Sequence, residues 1–136
     1  MATAKKVSYF AMQVPNRAGE AARTLAALAK YGINLLAFTG FPSGRRSQMD
    51  FIPANPASFL SAARRLKLRL RAKKTGFLIR GNDKRGAIAG VLTKLANSRI
   101  NVTAVDAVCA GGGRFGAILW VKQKDVSRAA RALNAS

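Results

Sequence analysis

The repeated stretch of this chain reads NRAGEAARTLAALAKYGINL at residues 16–35 and DKRGAIAGVLTKLANSRINV at residues 83–102. The second copy begins 67 positions after the first, and the loop glycine, the Ile-Asn pair and several Ala and Leu positions coincide without a gap. Self-similarity at a fixed period is typical of one supersecondary unit copied in tandem. The sequence therefore predicts two similar modules, over residues 1–74 and 75–136.

Each copy contains the same succession of predicted elements. A β-rich strand leads into the repeated loop, and the helix after it carries Ala and Leu at spacings of three and four, which form one face. A second strand, a turn rich in Gly or Ser, a third strand and a second helix follow. Only the first copy offers a fourth strand, at residues 67–73, where apolar residues alternate with basic ones. The predicted strands are residues 7–14, 33–38, 48–52, 75–80, 100–108 and 115–121, and the predicted second helices are 57–66 and 126–133.

The order strand, helix, strand, strand, helix, strand is that of the ferredoxin-like unit. We therefore expect an α+β fold with two βαββαβ units in tandem, each an antiparallel sheet with helices on one face. The second unit lacks a clear last strand, because the chain ends at Ser136 soon after its second helix. That fold hosts many functions, so the loops have to indicate which one applies here.

Both copies resemble the opening of an ACT domain in their loop, the helix after it and the segment around Ile33-Asn34 or Ile100-Asn101. ACT domains typically carry Asn or Asp, two further residues and then Gly at the first strand-to-helix loop, often with Pro before the Gly. Neither copy has that Pro. The short tandem arrangement is similar to small stand-alone double-ACT proteins of the amino-acid-binding regulatory type.

The resemblance implies a small-molecule ligand, commonly an amino acid, bound at an interface between ACT units. A loop glycine lets the backbone approach a ligand closely, and the helix N-terminus behind it suits a carboxylate. The Asn or Asp that opens the loop can take the ammonium group, and the Asn that enters the second strand can bond from across the interface. The candidate ligand-binding residues are Asn16, Arg17, Ala18, Gly19 and Asn34 in the first copy and Asp83, Lys84, Arg85, Gly86 and Asn101 in the second.

Each of these residues also has a structural interpretation. Gly19 and Gly86 suit a tight turn without any ligand. Asn16 and Asp83 stand where a helix N-cap would stand. The repeated Asn of the Ile-Asn pair can make a structural hydrogen bond at an otherwise unfavourable strand position.

The chain is strongly basic, with 24 Lys and Arg against five Asp and Glu and a formal net charge of +19. Seven of these basic residues form a dense run within residues 64–74, namely Arg64, Arg65, Lys67, Arg69, Arg71, Lys73 and Lys74. A row of like charges along a strand either stays solvated and protects an edge, or meets an anion. The alternative to the metabolite-binding function is therefore a basic nucleic-acid-binding module with a ferredoxin-like sheet.

Catalysis has little support in the sequence. The chain has no His and only one Cys, Cys109, so Ser-His or Cys-His nucleophile activation and a His/Cys zinc site cannot be built. We expect a non-enzymatic protein without a cofactor. A single Cys is compatible with a reducing compartment, and no signal peptide or apolar run of roughly 20 residues is present. We therefore expect a cytoplasmic protein that binds no membrane. The resemblance to double-ACT proteins further implies a homodimer with sheets joined edge to edge.

Overall fold

A computed structural model describes residues 2–136 of the chain and divides them into two units. One unit comprises Ser8–Lys74, and the other comprises the residues up to Val7 together with Thr75–Ser136. The residues up to Val7 therefore belong to the same unit as the C-terminal half of the chain, although in the sequence they directly precede the unit of residues 8–74.

The unit of residues 8–74 carries two helices on a three-stranded sheet. Its elements are the later part of β1 (Thr3–Pro15), α1 (Glu20–Lys30), β2 (Leu35–Ser43), β3 (Arg46–Pro53) and α2 (Pro56–Arg65). The strand order is β2-β3-β1, and both pairings are antiparallel. Asn55 begins α2 as its N-cap, where its Oδ1 accepts a hydrogen bond from the Ser58 N–H at 3.1 Å.

Aromatic rings fill the core of this unit. The Phe59 ring of α2 lies 5.3 Å from that of Phe10 in β1 and 5.4 Å from that of Phe51 in β3, measured between ring centroids. Leu28 of α1 and Met49 of β3 complete this buried cluster. The residues of β1 and β3 that join this cluster lie two apart along each strand, as Phe10 and Met12 or Met49 and Phe51 do, and the residues between them are buried as well.

The second unit repeats this arrangement. Its elements are β1 up to Val7, β4 (Lys74–Asn82), α3 (Ala87–Asn97), β5 (Val102–Cys109), β6 (Arg114–Val121), a 3₁₀ turn (Gln123–Asp125) and α4 (Val126–Leu133). The strand order is β1-β4-β6-β5, with β4 and β5 both antiparallel to β6. Phe77, Ile79, Leu95 and Leu119 are fully buried between this sheet and its helices.

The N-terminal residues supply a strand that the second copy does not encode at its own end. The beginning of β1 lies beside β4 in this unit, which is the position of the last strand in a βαββαβ unit. Ala2 and Ala4 pack against the core of the unit. Ser136 also contacts this part of β1, because the Lys6 N–H donates a hydrogen bond to the Ser136 carbonyl at 3.1 Å.

The fourth strand predicted for the first copy is not a regular strand. Residues 68–73 run outside any helix or strand and share one backbone hydrogen bond with β1, from the Arg71 N–H to the Ala11 carbonyl at 2.9 Å. The first residue of the predicted strand, Lys67, instead belongs to the end of α2, where it adopts a left-handed conformation with φ 58°. The Lys67 N–H donates a hydrogen bond to the Arg64 carbonyl. This bond closes the helix, so Lys67 does not take part in strand pairing.

The helices of the two copies begin and end alike. Gly19 and Gly86, with φ of 88° and 75°, precede α1 and α3, and Gly32 ends α1 with φ 75°. In α3 the equivalent position is Arg99, with φ 56°. The expected fold, α+β with two ferredoxin-like units, is thereby confirmed. No helix within residues 2–136 is long and apolar enough to cross a membrane.

Candidate functional site

In the first unit the repeated loop connects the end of β1 to α1. The Arg17 N–H donates to the Pro15 carbonyl at 2.9 Å, which turns the chain as it leaves the sheet. Asn16 is held against the neighbouring strand, because its Oδ1 accepts a hydrogen bond from the Ser47 hydroxyl at 3.0 Å. The left-handed Gly19 then allows α1 to start, a conformation that costs a residue with a Cβ about 1–2 kcal/mol.

An open pocket of about 390 Å³ lies between this loop and the adjacent ends of β2 and β3. Its walls include an amide, a guanidinium, a carboxylate, a hydroxyl and two aromatic rings. These groups belong to Asn16, Arg17, Glu20, Ser47, Phe38 and Phe41. Phe41 is 44% exposed, so its ring adds apolar surface to the wall of the pocket. The pocket therefore combines polar groups of both signs with an apolar wall.

The charged groups of this pocket are paired with each other. Glu20 Oε1 lies 2.9 Å from Arg17 Nη2 and 3.5 Å from Arg23 Nη1. Both arginine side chains are mostly exposed, so each pair contributes little to stability. Exposed pairs of this kind exchange partners easily, which leaves Arg17 available to a ligand carboxylate.

The second unit builds a pocket of about 380 Å³ at the equivalent loop. The Asp83 N–H donates to the Gly113 carbonyl at 2.9 Å and so fixes the loop against the turn before β6. Lys84 and Gly86 line the pocket on the loop side, and Val108 and Cys109 line it from β5. The same turn geometry therefore produces a pocket in both copies, although the side chains within it differ.

Cys109 lies in this second pocket and interacts with Asp83. A hydrogen bond from the thiol to the Asp83 carboxylate, followed by burial and by the negative charge of Asp83, raises the pKa of Cys109 above its ordinary value. The exposed thiol therefore stays protonated at neutral pH and acts as a weak donor, and its nucleophilicity is low.

The structure bears on the capping interpretation of the loop residues. Gly19 and Gly86 are the N-caps of α1 and α3, and neither helix has a side-chain capping hydrogen bond. Asn16 and Asp83 therefore do not cap these helices. Asn16 instead bonds to Ser47 of β3, so part of its hydrogen-bonding capacity is structural.

Asn34 and Asn101 do not lie in the pocket of their own unit. Asn34 is exposed before the first residue of β2, where its carbonyl accepts the Ala54 N–H at 3.0 Å. The β2 residues that line the pocket are Phe38, Gly40, Phe41 and Pro42, so its nearest wall on β2 is four residues, or roughly 13 Å at 3.3 Å per residue, from Asn34. Asn101 stands before β5 in the same way. An approach of either Asn to a ligand from across an interface stays a prediction.

Solved structures provide a comparison for this fold. No family model and no curated protein matches the sequence. Protein BT0572 from Bacteroides thetaiotaomicron is 18% identical, with a TM-score of 0.78 over 98% of this chain and 88% of that one. The ligand-free regulatory subunit of aspartate kinase from Thermus thermophilus is 19% identical, with a TM-score of 0.64 over 98% and 94%. The same subunit from Thermus flavus is 20% identical, with a TM-score of 0.60 over 98% and 94%.

These regulatory subunits share the architecture of this chain along almost its whole length. The chain has a tandem ACT-type fold. The expectation from the repeated loops is confirmed at the level of the fold, and the two pockets lie at the first strand-to-helix loop of each ACT-type unit.

Half of the predicted site residues line these pockets. They are Asn16, Arg17, Asp83, Lys84 and Gly86. Ala18, Gly19 and Arg85 belong to the loops without lining either pocket, and Asn34 and Asn101 lie at the far ends of β2 and β5. Sequence reasoning did not identify Glu20, Phe41, Ser47 or Cys109 as site residues. All but Glu20 come from strands that meet the loop only after folding, so no local pattern points to them.

The one buried acid of the first ACT-type unit is not part of its pocket. Asp50 of β3 is 6% exposed, and its carboxylate accepts hydrogen bonds from the Thr39 hydroxyl at 3.0 Å and from the Gln48 amide at 3.1 Å. Burial, and then the charge of Asp50, raises the pKa of Tyr9 nearby. The buried carboxylate of Asp50 thus has two hydrogen-bond donors, as buried polar groups in proteins usually have.

Proposed function

We propose that this chain is a regulatory protein without catalytic activity that binds a free amino acid at the repeated loops of its ACT-type units. The observation that carries the proposal is the recurrence of the pocket. In both units the loop forms an open cavity that is lined by positive and negative side chains. The cavity recurs although the two loops, residues 16–19 and 83–86, differ at three of four positions.

The first pocket matches the chemistry of a zwitterion. Arg17 can exchange its bond with Glu20 for the ligand carboxylate, and Glu20 then accepts the ligand ammonium group. Asn16 keeps its amide N–H groups for the ligand, since its carbonyl oxygen is used by Ser47. Phe38 and Phe41 provide an apolar wall for the ligand side chain. In the second pocket Asp83 and Lys84 take the two charged roles.

The proposal includes an interface between ACT-type units of two copies of the chain. β5 is the last strand in the order of its unit, and its Val105 and Val108 are exposed by 36% and 67%. An exposed edge strand of this kind is a template for pairing. In a two-fold dimer that pairs β5 antiparallel with itself, Asn101 would approach the partner's Cys109 and so the partner's pocket.

β2 offers the same arrangement in the first unit. It is also an edge strand, with Asn34 before its first residue and the pocket at its other end. Antiparallel pairing of β2 with a second copy would place Asn34 at the partner's pocket. Pairing of this kind would explain why Asn34 and Asn101 recur in the two copies although neither lines the pocket of its own unit.

Structural neighbours and composition support a regulatory role. Two of the neighbours are regulatory subunits of aspartate kinase. The chain contains no His, and the described residues hold no group of three or more Cys, Asp and Glu that could bind a metal ion. The acid with the most buried position, Asp50, is held by two donors.

A thermal-shift screen of the twenty amino acids tests the proposal. A ligand at 100 times its dissociation constant stabilises the folded state by about 2.7 kcal/mol. For units of this size we expect the melting temperature to rise by roughly 10–20 °C with one or a few amino acids. Ethanolamine and acetate serve as controls, because each carries only one of the two charged groups. If no amino acid shifts the melting temperature beyond these controls, the proposed ligand class is wrong.

A further inference from the structure

A basic row crosses the surface of the first unit. It consists of Arg64, Arg65, Lys67, Arg69, Arg71, Lys73 and Lys74, and every one of these residues is exposed. No acidic residue occurs between Asp50 and Asp83, so the row is uninterrupted along the sequence. This surface is separate from the pocket at the loop of residues 16–19.

The fold fixes the direction of these side chains. Leu66, Leu68 and Leu70 pack against the core of the unit, so the basic residues between them point to solvent. The segment is anchored by the hydrogen bond from Arg71 to Ala11 and by the closing turn of α2 at Lys67. The row is therefore a positioned array of charges rather than a free tail.

Nothing in the described part of the chain neutralises the row. The ion pairs of residues 2–136 use Glu20 and Asp125, and none of them includes a residue of the row. Alternate residues of an extended segment lie roughly 6.6 Å apart, so neighbouring cations repel each other. Edge protection explains one or two lysines on a regular strand. It does not explain Arg69, Arg71 and Lys73, which lie on a segment that forms no regular strand and are flanked by further cations at the end of α2 and the start of β4.

We propose that the basic row binds the phosphate backbone of nucleic acid without reading its sequence. Residues 67–71 span roughly 13 Å, the rise of about four nucleotides. Interfaces with nucleic acid are much more positively charged than interfaces between proteins, whereas the latter place apolar and aromatic residues at their centre. The row has no aromatic residue, and its leucines face the core, so it lacks the apolar anchor that a bilayer surface would engage.

The test compares two variants of equal charge. In the row variant Arg69, Arg71 and Lys73 are changed to Ser; in the control Lys122, Lys124 and Arg131, exposed residues of the other unit, are changed to Ser. Both lose three of the 24 basic residues. Affinity for fluorescent 20-nucleotide single-stranded RNA and for a 20-base-pair DNA duplex is measured by anisotropy between 50 and 200 mM salt. Circular dichroism shows whether each variant is folded.

We expect the row variant to bind at least roughly tenfold more weakly than the control at low salt. The slope of log affinity against log salt should fall by about 2 to 3, since each lost phosphate contact removes about 0.7 to 0.9. A variant with Arg69→Lys and Arg71→Lys keeps the charges and should keep the slope. Equal losses in the row variant and the control would overturn the proposal, because the attraction would then be diffuse. Row-dependent binding to vesicles with 30% anionic lipid but not to nucleic acid would overturn it as well.

Discussion

Replacing Phe59 with Ala is expected to lower the free energy of unfolding of the first unit by about 3–5 kcal/mol. Phe59 is fully buried, and its ring packs against Phe10 of β1 and Phe51 of β3. The loss therefore combines the transfer of a ring from water with a cavity at the point where α2 meets the sheet. Urea denaturation followed by far-ultraviolet circular dichroism measures the change.

The neighbouring residue provides the control for this prediction. Leu60 follows Phe59 in α2 and is 38% exposed. Its replacement by Ala is expected to cost less than about 1 kcal/mol, because surface substitutions outside special features have small effects. A cost at position 59 as small as that at position 60 would contradict the aromatic core described above.

Replacing Gly81 with Ala is expected to lower the free energy of unfolding of the second unit by about 1–3 kcal/mol. A Cβ at this position of β4 would lie 2.9 Å from Cε1 of Phe115 and 3.0 Å from Cα of Ala2. One contact is a buried ring and the other is backbone, so neither can move aside without a shift of the N-terminal strand. Trp120 is the only Trp and belongs to this unit, so its fluorescence reports the transition.

Gly116 of β6 is the matched control for Gly81. It belongs to the same sheet, and a Cβ there would meet no atom within 4 Å. Gly116→Ala should leave stability unchanged or raise it by about 0.5–1 kcal/mol, because Ala loses less conformational freedom than Gly on folding. A Gly81→Ala variant as stable as Gly116→Ala would contradict the close approach of Ala2 and Phe115 to β4.

The sequence predicted the helices and the inner strands because their apolar residues recur with clear periods. The beginning of β1 was not predicted, since Thr3 to Lys6 contain a single apolar residue and nothing local marks them as a strand. That segment forms a strand because it pairs with β4 and because Ala4 packs against the core of the second unit. The regular fourth strand expected at residues 67–73 does not form, although apolar and basic residues alternate there. Lys67 ends α2, and the segment after it shares one backbone hydrogen bond with β1.

The candidate site could be predicted only as far as its loops. Asn16 and Asp83 were identified because the loop repeats in sequence. Phe41, Ser47 and Cys109 were not, because antiparallel pairing brings them to the loop from distant parts of the chain. Local patterns therefore identify the turn that builds a pocket, whereas the opposite wall depends on strand register.

Titration calorimetry with the amino acid found by the screen tests the central claim most directly. Wild type is compared with Asn16→Ala, Asn34→Ala and the control Asn55→Ala, which removes only the N-cap of α2. We predict that Asn16→Ala and Asn34→Ala each weaken binding by about 1–3 kcal/mol, the cost of a buried polar group left without its partner. Asn55→Ala should cost about 1 kcal/mol of stability and leave the affinity unchanged. Unchanged affinity in both Asn16→Ala and Asn34→Ala would contradict a ligand site at the repeated loops.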